Sequence, residues 1–103
     1  MRLLLTLLLL SFAAAAAQAQ NPERQGRALV QEFCASCHAV GLEGKSTHPD
    51  APPFSALGKK FDLDEFPRLL ERGISSAHPD MPQFKFTQEH ARAVRDYLRT
   101  IQK

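Results

Sequence analysis

Cys34-Ala-Ser-Cys37-His38 puts the only two cysteines of the chain three positions apart and a histidine directly after the second. Whatever the chain folds into must serve that pentapeptide. A structural zinc site takes four thiolate or imidazole ligands at paired spacings, and one cysteine pair is all there is. A thioredoxin-like redox pair needs a βαβ context and a sizeable sheet, which nothing here suggests.

The N-terminus bears on where those thiols reside. Arg2 supplies a positive start, Leu3 to Leu10 with Phe12 form an apolar stretch, and Ala17-Gln18-Ala19 has the small-x-small form read by signal peptidase. The stretch is shorter than the roughly 20 residues that span a bilayer. The expectation is a cleaved signal peptide over residues 1–19 and a mature domain over 20–103, folded in the periplasm with no stable membrane span left.

The 84 residues after such a cleavage are one small domain. Domains of this size bury a modest share of their surface and often need a disulfide, a metal or another internal staple. With Arg2 set aside, 12 basic side chains face 11 acidic ones, a balance that predicts no nucleic-acid footprint. No second hydrophobic span, low-complexity tract or internal repeat stands out. Residues 41–53, rich in Gly, Pro, Ser and Asp, read as a loop inside the domain.

Apolar residues recur at helical spacing, and no run alternates as a strand would. Asn21-Pro22-Glu23 is a helix start, with Asn as N-cap, Pro in the first turn and Glu at the positive end of the dipole. Gly26, Leu29, Val30 and Phe33 then line one face. Thr87 caps a last helix with Glu89 in its first turn and a stripe of Ala91, Val94, Tyr97, Leu98 and Ile101. Between the two, Asp64 is placed to cap a shorter helix that runs through Arg72, accepts Pro67 in its first turn and stops at Gly73. A brief helical turn fits Ser55 to Lys60. Three or four short helices with long Pro-rich loops bury little by themselves, so something else fills the centre.

C-x-x-C-H is the attachment pattern of c-type haem. Its two thiols add to the two vinyl groups on one edge of a porphyrin, and the next residue is carried under the iron. Cys34 and Cys37 are thus the tethers and His38 the proximal ligand of one covalent haem c. For the sixth position the candidate is Met81, the only methionine besides the first residue, set in His78-Pro79-Asp80-Met81-Pro82. Its flanks are turn residues, whereas a methionine that fills a core gap sits on an apolar stripe.

With these residues placed, the chain resembles the small monohaem c-type cytochromes that carry an N-terminal attachment motif and a C-terminal methionine ligand. The resemblance rests on Gly26, Cys34-Ala-Ser-Cys37-His38, Ala51-Pro52-Pro53-Phe54, Met81-Pro82 and Tyr97-Leu98. It implies an all-α cytochrome c fold, three to four helices with long loops wrapped around one covalently bound haem. It implies close approach of Gly26 to Tyr97, and a proline carbonyl, that of Pro52 or else Pro53, that orients His38 from behind. The chain has no Trp and a single Tyr, so the aromatic propionate partners of some relatives have no counterpart.

His48 and His78 are each able to replace Met81 as sixth ligand, while His90 is expected to face solvent. With His38 and Met81 both bound, the iron has no open position, which favours outer-sphere electron transfer over oxygen chemistry. The expected function is a monomeric periplasmic one-electron carrier, not an enzyme, between redox protein partners such as a dehydrogenase and a terminal oxidase. Lys45 and Lys85, with Lys59-Lys60 less directly, are the docking cations this reading offers. The alternatives are a haem-based ligand-binding sensor, a peroxidase-like enzyme, or the dedicated haem subunit of a dehydrogenase complex.

Overall fold

A computed structural model of the chain describes residues 21–74 and 78–103. The expected signal peptide lies outside the described residues. Within them the chain forms three α-helices and one 3₁₀ helix, with no strand beyond an isolated antiparallel bridge between Ile74 and Phe84. None of these helices is long and apolar enough to cross a membrane.

Helix α1 spans Pro22–Phe33, and Asn21 caps it by accepting the Arg24 amide on its side-chain oxygen at 3.2 Å. Helix α3 spans Gln88–Thr100 and is capped in the same way, by Thr87 accepting from the amide of His90. Each cap satisfies one of the amides that a helix start leaves without an internal partner. His90 is half-buried in the first turn of α3 and does not face freely into solvent.

Between them lie a 3₁₀ helix at Phe54–Lys59 and helix α2 at Phe66–Arg72. Asp64 does not cap α2. Its own amide is taken by the Asp62 side chain at 2.9 Å, the Glu65 amide goes to the Asp62 carbonyl, and its carboxylate pairs with Arg99 on α3. The aspartate two residues earlier organises this turn, so α2 begins only at Phe66. Pro67 still falls in the first turn, and Gly73 stops the helix at φ 98°, a conformation that strains any residue with a β-carbon.

Helices α1 and α3 cross at Gly26. A β-carbon at this position would stand 2.0 Å from the Ala93 carbonyl oxygen and 2.9 Å from Tyr97 Cβ. Only a glycine lets the two backbones meet this closely. Around the crossing, Val30 and Leu98 are sealed from solvent and join Ala91, Val94, Phe54, Leu57, Phe66, Leu70 and Ile101 in one core. Burial of a side chain of the Val or Leu kind contributes roughly 1.5–3 kcal/mol.

Side-chain bonds fasten the loops to this frame. The Tyr97 hydroxyl donates to the Val40 carbonyl at 2.6 Å, which holds the chain just past the cysteine pair against α3. Gln102 donates to the Phe54 and Leu98 carbonyls and accepts from the Gly58 amide, so the 3₁₀ helix is tied to the end of α3. The Ile74 amide donates to the Phe84 carbonyl, closing off the segment that carries Met81.

Candidate cofactor site

Backbone bonding continues past α1 for one more turn. The Cys34 amide donates to Val30, and the Cys37 and His38 amides both donate to the Cys34 carbonyl, at 3.3 and 2.9 Å. Residues three and four apart on such a turn share a face. The spacing of the motif therefore sends Cys34, Cys37 and His38 toward the same side, where all three line one cavity of about 670 Å³.

That volume lies within the roughly 300–1,000 Å³ typical of pockets that enclose a small ligand or cofactor. Its walls are mostly apolar: Val30, Phe54, Leu57, Phe66, Leu70 and Val94 come from the core, and Phe33, Phe84 and Phe86 close one side as a cluster of tilted and edge-on rings. Met81 lines the same cavity, as do His48 and His78. Arg72, at the end of α2, also reaches the wall. In the sequence it reads only as a helix-terminal cation, and nothing in its spacing links it to a site.

His38 is oriented from behind. Its Nδ1 donates to the Pro52 carbonyl at 2.8 Å, leaving Nε2 as the other ring nitrogen, and its ring lies 4.8 Å from that of Phe54. Of the two adjacent prolines, it is Pro52 that makes this bond; the amide after Pro53, that of Phe54, donates back to Ala39.

The thiols are free and half-buried. Burial pushes the Cys34 thiol up to about 11. Redox-active pairs work the other way, since their attacking cysteine is held well below the ordinary thiol range so that thiolate is available. Cys34 is thus suited to be a fixed tether and poorly suited to thiol exchange. The chemistry of the donor set and the mostly apolar cavity beside it both fit a porphyrin joined through two thioethers.

One feature escapes the sequence reading above. His48-Pro49-Asp50-Ala51-Pro52-x-Phe54 recurs as His78-Pro79-Asp80-Met81-Pro82-x-Phe84, at a constant offset. The chain does contain a short internal repeat. It is hidden because the two copies differ at Ala51 and Met81, and Met81 draws attention to one copy alone. Lys45, Lys59, Lys60 and Lys85 are exposed, and none of them lines the cavity.

The family model described as cytochrome C oxidase, cbb3-type, subunit III matches residues 21–98. No curated protein and no solved structure gives a significant match. The matched span takes in every helix but the last two residues of α3, together with the cysteine pair and the whole cavity wall. The chain therefore belongs to the cbb3 subunit III type of cytochrome c domain, and its cysteine pair binds haem c covalently.

Proposed function

We propose that this protein is a periplasmic one-electron carrier whose haem c is held by thioethers from Cys34 and Cys37 and by His38 and Met81 at the two axial positions. The observation that carries the reading is the convergence of both cysteines, the Pro52-anchored His38 and Met81 on one cavity. When bound, the haem supplies a one-electron iron couple. The chain's part is to fix the ligands and keep water from the iron. Pro52 fixes the imidazole plane of His38 and makes it a stronger donor. Met81 supplies a soft thioether, which favours the reduced state relative to a second imidazole. The Phe33, Phe84 and Phe86 cluster covers one side of the cavity, so little reorganisation accompanies the change of charge.

In this reading residues 1–19 are a signal peptide, residues 20–103 are the mature domain, and the working protein is a monomer. Its partners are a donor such as a dehydrogenase and an acceptor such as a terminal oxidase. A second reading, the dedicated haem subunit of a larger redox complex, is favoured by one observation: the matching family is described as an oxidase subunit.

Two measurements on the mature holoprotein test the proposal. The ferrous form should be inert to carbon monoxide, and the reduced protein should give up one electron to oxidase-containing membranes in a reaction that is second order and saturates weakly. Rapid carbon monoxide binding would turn the reading to a sensor or peroxidase-like enzyme. Co-purification in fixed stoichiometry with a membrane complex would turn it to the subunit.

A further inference from the structure

The two copies of the repeat have the same local structure. In each, the amide of the residue after Asp donates to the carbonyl of His, Ala51 to His48 and Met81 to His78, both at 3.2 Å. In each, the Asp amide also donates to Nδ1 of its own histidine, at 3.1 Å for Asp50 and 3.2 Å for Asp80. Both are turns with Pro at the second position, where its fixed φ suits the bend. Met81 in one copy stands where Ala51 stands in the other.

The turns face each other and exchange partners. His48 Nε2 lies 3.1 Å from Asp80 Oδ2, His78 Nε2 lies 3.0 Å from Asp50 Oδ2, and the rings meet edge to face at 5.2 Å. Proton positions follow from the fixed donors. A backbone N–H points at each Nδ1, so that nitrogen is the acceptor and the ring proton sits on Nε2, from which it is donated to the carboxylate across the gap. Each ring nitrogen of the two histidines is then used in its proper sense.

Side-chain atoms of His48, His78 and Asp80 also come within 4.8 Å of one another, near enough to suggest a metal site. The tautomer argues against one. A metal on Nε2 would move the proton to Nδ1, where it would meet the Asp amide head on, whereas metal-bound histidines donate from their second nitrogen to an acceptor.

We propose that the paired His-Pro-Asp turns form a reciprocal latch, and that His48, Asp50, His78 and Asp80 are positioning residues for both sides of the haem. One turn leads directly into Pro52, whose carbonyl holds His38; the other presents Met81. The His48 amide is bonded in addition to the Cys37 carbonyl at 3.1 Å, so the latch is anchored on the attachment motif itself. Drawing the turns together sets the spacing between the two ligands and opposes departure of Met81. The inference rests on Met81 being the sixth ligand.

Carbon monoxide binding to the ferrous holoprotein and the long-wavelength absorption of sulfur on ferric iron test it in His48→Asn, His78→Asn and the double variant. Asparagine keeps an acceptor for the local turn and cannot reach the opposite carboxylate. Relative to the slow residual rate that spontaneous loss of Met81 allows in the unmutated protein, each single variant should bind carbon monoxide roughly fivefold faster and the double roughly thirtyfold, as about 1 and 2 kcal/mol of restraint on the methionine are lost. The sulfur band should weaken in step. His48→Gln, whose amide nitrogen reaches about as far as Nε2, should restore much of both signals, which a general loss of packing would not allow. If the unmutated protein is inert and all three Asn variants are equally inert with the band intact, the latch is wrong while Met81 ligation stands. If the unmutated protein itself binds carbon monoxide rapidly, Met81 ligation falls and the latch with it. Tight zinc binding by the unmutated holoprotein, lost in both single variants, would also overturn it, since zinc needs the ring nitrogens that the latch keeps protonated.

Discussion

The α-carbon of Gly26 rests against Ala93, with only 2.0 Å between the place a β-carbon would take and the Ala93 carbonyl oxygen. The atom that obstructs is backbone, so no side-chain rotation relieves it. Gly26→Ala should force α1 and α3 apart at the contact that closes the domain. Overpacking of this kind costs roughly 3 kcal/mol, and for a domain this small the melting temperature of the holoprotein should drop by roughly 12–24 °C. A shift of a degree or two in a thermal melt would mean that the helices slide past each other freely.

Tyr97→Phe removes one hydroxyl and leaves the Val40 carbonyl without its 2.6 Å partner. The loss should be about 1 kcal/mol, as for an ordinary hydrogen bond. Because Val40 lies close to His38 along the chain, amide exchange through residues 39–48 should quicken before any change appears in α2. Uniform exchange along the chain in this variant would contradict the local role given to that bond.

Replacing Cys34 and Cys37 together by Ser should give a protein from which acid acetone extracts all haem, whereas the unmutated protein should retain it in the protein pellet. Without its tethered group the chain has a cavity of about 670 Å³ lined by apolar side chains at its centre. Far-ultraviolet circular dichroism should show helix content well below that of the holoprotein.

Met81→Ala should abolish the sulfur-to-iron absorption of the oxidised protein and open the reduced protein to carbon monoxide. Met81→His should keep the iron six-coordinate and lower the potential, since an imidazole stabilises ferric iron more than a thioether does. Spectroelectrochemical titration reads the second outcome directly. An unchanged potential would mean that Met81 is not on the iron.

Lys45 and Lys85 are exposed and lie outside the cavity wall. If they guide a redox partner, the second-order rate of electron transfer should fall as salt rises, because exposed charges are screened within about 10 Å at 0.1 M. Lys45→Glu with Lys85→Glu should slow the reaction about tenfold at low salt, within the range that electrostatic steering supplies, with no change in potential. A rate flat in both comparisons would leave docking to apolar surface such as the exposed Leu42.

The helices and several of their ends were legible from local signatures: Asn21 and Thr87 cap their helices, Gly73 ends α2, and the apolar stripes repeat at helical spacing. The same local reasoning misplaced the start of α2, because Asp62 and Asp64 are equally good caps in isolation and Arg99, distant in sequence, draws Asp64 away. Cys34, Cys37, His38 and Met81 could all be singled out from residue type and neighbours. The partners of His48 and His78 could not, since each turn is complete in itself and the exchange exists only once the fold brings Asp80 to one and Asp50 to the other. Arg72 belongs with them: its place at the cavity wall is a property of where α2 stops, not of any motif.

The crossing of α1 and α3 also has a consequence in time. It joins segments far apart in sequence, so it closes a long loop and cannot form until α3 has been made. A chain is produced from its N-terminal end, and Cys34 and Cys37 follow immediately after α1. In the exported reading the chain also crosses the membrane from that end, so through most of the crossing the two thiols ride on a helix that lacks its partner. The topology itself sets an interval in which an attaching enzyme can reach both sulfurs, before the Gly26 contact shuts the domain over them.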